Sequence, residues 1–172
     1  MLYANADQRV LGYLGRALSL ELSAVQLYST QARLLAAWGL AEASKRMSEE
    51  AHDELGHADR IIGRMLALGV APNASQLRPV KLGNNLFELL RYDREFENEL
   101  VQLYTQAAHH CARIADHDSR VFFETLLSEE KTHAQALTQW LDQYETGQPE
   151  RTGEDVNSAL ANSTRQLMGR AR

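Results

Sequence analysis

We predict an all-α fold from this sequence: a four-helix bundle with one long crossover between helices two and three, plus a short C-terminal helix. Three observations lead to this prediction. Only 3 prolines and 10 glycines interrupt the 172 residues, which leaves room for long helices. Four long segments repeat apolar residues at the three- and four-residue spacing of one helix face. Very short connections join these segments, except for one long connection in the middle of the chain.

Helices one and two are predicted at about residues 7–38 and 41–68. Gly39 ends the first helix, and Gly69, followed by Pro72, ends the second. Almost no chain separates the two helices, so we expect them to be antiparallel neighbours. The apolar stripe of the first contains Leu11, Leu14, Leu18, Val25 and Leu35, and that of the second contains Met47, Ala51, Ala58, Ile61, Met65 and Leu68.

Helices three and four are predicted to form a second antiparallel pair. The third begins near Asn85, a suitable N-cap, and continues to about residue 115. The fourth follows Asp118 or Ser119 as its cap and ends at about residue 145. A weaker pattern at about residues 154–168 indicates the short fifth helix. We therefore expect one domain over residues 1–172, with the bundle at about 7–146 and a short helix or tail at about 150–172.

The connection at residues 70–84 determines the topology. Fully extended, it reaches about 50 Å, whereas a helix of about 28 residues is about 42 Å long. The segment is thus long enough to cross the bundle and to start helix three parallel to helix two. The alternative is a partly disordered linker between two helical hairpins.

Composition excludes several classes of protein. The net charge of −5 and the pI near 5.7 disfavour nucleic acid as a partner. No apolar run of about 18 residues is present, so we expect no membrane span. The N-terminus lacks the pattern of a secretory signal. Cys111 is the single cysteine, which excludes an intramolecular disulfide and a CxxC metal site. These features predict a cytoplasmic protein.

An internal repeat carries the chemistry. The segment ELSAVQLY at 21–28 returns as ENELVQLY at 97–104. At the same offset along the chain, Glu54 corresponds to Glu130 and His57 to His133. Each half therefore bears a glutamate on its first helix and, at an equal spacing from it, a Glu-x-x-His motif on its second.

This pattern predicts a site for two metal ions. Residues three apart lie on one helix face, so the Glu and His of each motif can bind the same ion. Four carboxylates in an apolar bundle repel one another and lose hydration unless cations neutralise them. Two divalent ions balance the four charges, and an oxygen-rich ligand set without thiolate favours iron. The alternatives are an ancestral site that no longer binds metal and a purely structural bundle. The six predicted ligands are Glu21, Glu54, His57, Glu97, Glu130 and His133.

At these residues the sequence resembles the bacterioferritin family of the ferritin-like superfamily, from about residue 7 to residue 144. The segments ELGHADR at 54–60 and LRYD at 90–93 are especially similar. The resemblance implies a ferritin-like fold with two irons per chain, ferroxidase chemistry, and mineral storage in a 24-subunit cage. It also implies that Glu54 and Glu130 bridge the irons, that Glu21 and Glu97 are terminal ligands, and that His57 and His133 each bind one iron.

The sequence departs from the family pattern at two positions. Bacterioferritins typically bind haem through a methionine at the position of Leu55, and Met47 lies too far along the helix to replace it. We therefore expect no haem on this chain, although a haem-binding sister subunit in a mixed assembly remains open. Tyr104 replaces an apolar residue, so that it pairs with Tyr28 as in rubrerythrin-like peroxidases. The hydroxyl of each tyrosine is expected to bind a ligand carboxylate, with a core tyrosine bonded elsewhere as the alternative.

The remaining polar residues receive simpler interpretations. The acidic run before the first motif is read as a solvated face rather than an iron relay, His109 and His110 as surface or interface histidines, and Cys111 as a small buried hydrophobe. The C-terminal arginines belong to the fifth helix or a tail. The acidic run contains Glu49, Glu50 and Asp53, and the arginines are Arg151, Arg165, Arg170 and Arg172.

Two functions use the same six ligands. The first is a ferroxidase and iron store that oxidises Fe(II) with O2 or H2O2, with Tyr28 added to the ligands as a catalytic residue. The second is a non-storage di-iron oxidase or peroxidase of the rubrerythrin-like kind. The similarity to bacterioferritins and the missing CxxC-bearing rubredoxin module favour storage.

Overall fold

The computed structural model describes residues 6–73 and 76–147, with side chains to residue 144. These residues form four helices, α1 (Gln8–Ala37), α2 (Ala41–Ala67), α3 (Leu86–Arg113) and α4 (His117–Gly147), and no strand among the described residues. The all-helical prediction is confirmed, and each boundary lies within about two residues of the expected position. The predicted fifth helix and the C-terminal arginines lie outside the described residues.

Local signals in the sequence set the helix ends. The Asp7 carboxylate caps α1 by accepting from the N–H groups of Arg9 at 2.9 Å and Val10 at 3.1 Å. Asn85 caps α3 by accepting from Glu88 N–H at 2.9 Å. Gly39 and Gly69, with φ of 76° and 77°, terminate α1 and α2 in the left-handed region where glycine carries no steric penalty.

The predicted cap of α4 was wrong. The helix begins at His117, and the Asp116 carboxylate accepts from Ser119 N–H at 3.0 Å. Asp116 and Asp118 are both good capping residues, and the sequence does not rank them. The choice follows from the turn, because Ala115 adopts a φ of 58° and ends α3 just before Asp116.

The core consists of two apolar clusters, one toward each end of the bundle. Along α1, residues of the first cluster, such as Leu14, precede those of the second, such as Leu35. Along α2 the order is reversed, from Met47 in the second cluster to Ile61 in the first. The order in α3 follows that in α2, and the order in α4 follows that in α1. On every helix, the predicted ligands lie between the two clusters.

The connection between α2 and α3 contacts the middle of two helices. Arg78 N–H donates to Ser23 Oγ on α1 at 3.0 Å, and the Arg78 guanidinium forms a two-point ion pair with Glu99 on α3. The most extensive packing occurs between α1 and α2 and between α3 and α4, with further contact between α1 and α3. Within the described ranges, no helix is long and apolar enough to cross a membrane.

Candidate metal centre

The six predicted ligands lie together in the middle of the bundle. Their oxygen and nitrogen atoms form two groups, each with all ligand atoms within 4.8 Å of one another. The carboxylates of Glu54 and Glu130 belong to both groups, and all four glutamates are fully buried. The first group consists of Glu21, Glu54, His57 and Glu130, and the second of Glu54, Glu97, Glu130 and His133.

Helix geometry explains this convergence. Glu54 and His57 lie one turn apart on α2, and Glu130 and His133 lie one turn apart on α4, so each pair faces the bundle axis. Glu21 on α1 and Glu97 on α3 complete the set from the other two helices. The apolar residues above and below exclude water from the carboxylates.

Both imidazoles direct Nδ1 toward the shared carboxylates. His57 Nδ1 lies 2.6 Å from Glu130 Oε1, 2.9 Å from Glu54 Oε2 and 3.6 Å from Glu21 Oε2. His133 Nδ1 lies 3.3 Å from Glu54 Oε1 and 3.8 Å from Glu130 Oε2. The rings stack with centroids 5.6 Å apart and planes 10° apart. Each histidine is therefore placed to bind a different ion between the same two carboxylates.

The pKa shifts of the glutamates and histidines reflect the close packing of buried carboxylates. Burial raises the pKa of Glu21 and of Glu97 well above the ordinary value. Burial acts in the same direction on Glu54, but contacts with His133 and His57 outweigh it and lower the pKa to about 2. Burial alone would lower the pKa of both histidines, yet the carboxylates raise it to about 12 for His57 and about 9 for His133. Without a metal, the site thus compensates its charge with protons.

The unpaired atoms of the site fit a metal ion. Each of the four glutamates has at least one buried oxygen without a hydrogen bond of good geometry, and His57 Nδ1 also lacks one, although it lies 2.6 Å from Glu130 Oε1. Buried polar groups without partners are rare in native proteins, and bound ions are one of the accepted reasons for them. Carboxylate and imidazole donors without thiolate match iron or manganese. The ligand set therefore has both the free atoms and the chemistry that two such ions require.

The two tyrosines bind the terminal glutamates crosswise. Tyr28 on α1 donates to Glu97 Oε1 on α3, and Tyr104 on α3 donates to Glu21 Oε1 on α1. Both tyrosines are almost fully buried, and burial raises the pKa of each well above the ordinary value. The sequence predicted a bond to a ligand carboxylate. It did not show that each hydroxyl would bind the glutamate of the opposite half, because that depends on which helices are neighbours.

Three polar residues near the site were interpreted incorrectly or missed. Glu50 was assigned to a solvated face. This holds for Glu49, whose side chain is 62% exposed, but Glu50 is half-buried with Oε2 3.8 Å from His133 Nδ1. Glu129 Oε2 lies 3.0 Å from His57 Nε2. Its position next to Glu130 was the only signal in the sequence.

Asp93 is the second residue that the sequence analysis did not single out. It is fully buried and accepts from Gln31 Nε2 at 2.6 Å, while its other oxygen has no donor. Burial raises the pKa of Asp93 to about 8, partly offset by the Gln31 bond. Asp93 belongs to the LRYD segment, where its position on the buried face of α3 was the available signal.

The other predicted residues lie away from the centre. Leu55 is 50% exposed on α2, whereas Met47 is fully buried in the core and cannot reach that surface. Cys111 is buried, as expected, and burial raises the pKa of its thiol to about 11. His109 is exposed, but the surface interpretation of His110 was wrong. His110 is buried with Nε2 2.9 Å from Asp7 Oδ1, because the α1 cap packs against α3.

Comparison with known proteins agrees with this architecture. The ferritin-like domain family matches residues 11–146. A bacterioferritin from Rhodobacter capsulatus is 36% identical over 82% of this chain and 88% of its own length. A bacterioferritin from Brucella melitensis is 33% identical over 91% and 97% of the two chains, respectively.

A solved structure is similar over nearly the whole chain. The Rhodobacter capsulatus bacterioferritin, described as having a metal-free dinuclear site and haem iron, superposes with a TM-score of 0.81 at 34% identity. The match covers 92% of this chain and 96% of that one.

Proposed function

This chain belongs to the bacterioferritin family, whose ferritin-like character supports a role in iron storage, and we propose that it is a ferroxidase and iron store. It oxidises Fe(II) with O2 or H2O2 at a carboxylate-bridged di-iron site and keeps the ferric product as mineral inside a cage. One observation carries this proposal. Two buried glutamates are shared by two ligand groups, and each group adds one histidine and one further glutamate.

Each ligand has a defined role in this proposal. Glu54 and Glu130 would hold both irons, since their oxygens belong to both groups. Glu21 and His57 complete one subsite, and Glu97 and His133 complete the other. Two divalent ions bring four positive charges to four carboxylates, so the protons that compensate the site leave when metal enters.

The side chains supply the conditions for the reaction. Two irons held at the site would supply one electron each to the oxidant. The apolar clusters above and below the site exclude water from it, and the buried carboxylates keep the pair of ions together. Tyr28 holds Glu97 and Tyr104 holds Glu21, which limits the freedom of the two terminal ligands. Tyr28 is also a candidate for an additional electron donor.

The assembly and cofactor assignments belong to the same proposal. We expect 24 chains in a hollow, cytoplasmic particle with no nucleic-acid partner, and the long crossover that such bundles use. The order of the core clusters supports the crossover, because α2 ends at the end of the bundle opposite to where α3 begins. We expect no haem on this chain, since Leu55 supplies no donor atom, and a mixed particle with a haem-binding sister subunit is the one exception.

Native mass and iron content test this function together. A storage cage predicts a particle of 24 chains of 19.4 kDa each, which retains far more iron after aerobic loading with Fe(II) than two ions per chain. A dimer that turns over Fe(II) but retains no mineral would contradict storage. A Soret band from this chain purified alone would contradict the haem assignment.

The paired tyrosines favour one alternative function. Two tyrosines on two terminal glutamates resemble the arrangement predicted for rubrerythrin-like peroxidases. In that case the same six ligands reduce peroxide in a small oligomer without storing mineral. Retention of the ferric product after oxidation of Fe(II) with H2O2 distinguishes the two, since a storage cage keeps the product as mineral whereas a peroxidase leaves it in solution.

A further inference from the structure

The geometry points to Glu129, fixed by Arg60, as the residue that positions His57 in one subsite, whereas no described carboxylate supports His133 in this way in the other subsite. The two subsites consequently bind divalent metal with different affinities, the His57 subsite more tightly. This inference rests on the proposed di-metal site and assigns a difference between its two halves.

Glu129 binds the side of His57 that faces away from the carboxylate cluster. His57 Nε2 lies 3.0 Å from Glu129 Oε2, while Nδ1 faces the shared glutamates. An imidazole that binds metal through Nδ1 carries its proton on Nε2, so this N–H donates to Glu129. A carboxylate in this position fixes the tautomer and the rotation of the ring and makes the other nitrogen a better ligand.

Arg60 holds the Glu129 carboxylate in place. Arg60 Nη1 donates to Glu129 Oε1 at 3.1 Å, and Nη2 donates to Oε2. This two-point contact constrains the orientation of the carboxylate more than a single bond would. Arg60 lies one turn after His57 on α2, so the three residues join α2 to α4 beside the site.

The repeat replaces both supporting residues in the other half. In the alignment that pairs His57 with His133, Glu129 corresponds to Asp53 and Arg60 to Ala136. Asp53 is one methylene shorter and exposed. Every ion-pair contact of His133 with a described carboxylate involves Nδ1, and none involves Nε2. The His133 side chain is 16% exposed, compared with 5% for His57.

Titration of the metal-free, full-length protein with Co(II) tests this difference. Wild type is expected to bind two Co(II) per chain. The E129A substitution is expected to weaken one of the two by about 10- to 100-fold, the usual cost of losing such a partner, and to leave the other within about twofold. E129Q keeps an acceptor oxygen without the charge, so its effect lies between those of wild type and E129A. D53N, at the repeat-related position, serves as the matched control and leaves both affinities unchanged.

A second readout separates positioning from a structural role. In the Co(II)-loaded protein, the imidazole N–H protons are shifted by the metal and visible by NMR. One of them, on His57, is expected to exchange slowly with D2O, and E129A accelerates its exchange without affecting the other. If E129A misfolds, E129Q provides the same comparison.

Three results would overturn the inference. They are equal weakening of both subsites by E129A, no change in either, or an equal effect of D53N. If wild type takes up no Co(II), the di-metal site itself is wrong, and that failure is distinguishable because it does not depend on the variants.

Discussion

The α1–α2 hairpin and the α3–α4 hairpin carry the same candidate ligands in different surroundings. The glutamate, the Glu-x-x-His motif and the tyrosine recur at one constant offset between the hairpins. The residues around them do not. Asp93 and Gln31 meet at one end of the site, whereas their repeat-related positions are occupied by Ala17 and Ala107.

The recurring residues and the differing residues meet two different requirements of the site. The recurring residues are those that a site for two metal ions would require from both halves. The differing residues lie around the recurring ones. Phe123, for example, packs 6.2 Å from the ring of Tyr104, and its counterpart beside the other half is Met47. The two ends of the site thus have different polarity although their ligands match.

The largest effect, a change in the number of bound ions, is expected when a glutamate shared by both ligand groups is replaced. Replacing a glutamate that belongs to one group should have a smaller effect. E54A and E130A each remove a carboxylate that belongs to both groups, so bound metal is expected to fall from two ions per chain to none. E21A and E97A each remove a ligand of one group, and one ion per chain should remain. Metal content after gel filtration of Co(II)-loaded protein measures both. Retention of one ion in E54A would show that the carboxylate is not shared.

Asp93, at the end of the site where it meets Gln31, predicts that the stability of the protein depends on pH. Folding raises the pKa of Asp93 from 3.8 to about 8. Between these two pH values, Asp93 is protonated in the folded protein and ionised in the unfolded chain. The free energy of unfolding of metal-free protein should therefore fall between about pH 4 and pH 8, by up to about 1.4 kcal/mol per pH unit from this group. D93N removes this contribution and keeps an acceptor for Gln31.

Thermal unfolding of wild type and D93N at pH 5 to 8 measures the effect. The midpoint of wild type should fall relative to that of D93N as pH rises. D93A also lacks the titrating carboxyl, so its midpoint should change with pH as the midpoint of D93N does. It should be lower than that of D93N at every pH, because Gln31 loses its partner. Parallel curves for wild type and D93N would mean that Asp93 titrates normally.

The paired tyrosines are expected to be equivalent despite their different neighbours. Y28F and Y104F each leave a buried terminal glutamate without its donor, at a cost of about 1–3 kcal/mol in the free energy of unfolding. Y92F changes a partly exposed tyrosine and should be nearly silent. Thermal unfolding of the three variants makes the comparison. A large effect of Y28F alone would show that the halves differ in their tyrosines too.

The smallest effect is expected at the connection between the halves. R78A removes the ion pair with Glu99, which is exposed on both sides, so the loss should be about 0.2–1 kcal/mol and should shrink further at high salt. E124Q, in the exposed pair with Arg120 within α4, is the control. A loss of several kcal/mol for R78A alone would show that the connection contributes strongly to stability.

The features that have a signal in the linear sequence could be predicted, and those that depend on contacts between helices could not. The helices were predictable because their apolar spacing and glycine stops are local signals. The clustering of the six candidate ligands was predictable because a repeat places equal residues at equivalent positions. The crossed tyrosine bonds, the contact of Glu129 with His57 and the burial of His110 were not. Each depends on which helices are neighbours, and no local pattern specifies that.

The most direct test of the central claim is a crystal structure of the protein loaded anaerobically with Fe(II), with anomalous data collected at the iron edge. The account predicts two peaks per chain, about 3.5–4 Å apart, both in contact with Glu54 and Glu130. One peak should lie beside Glu21 and His57, and the other beside Glu97 and His133. A single peak between the bridging glutamates, or iron bound only elsewhere, would contradict it.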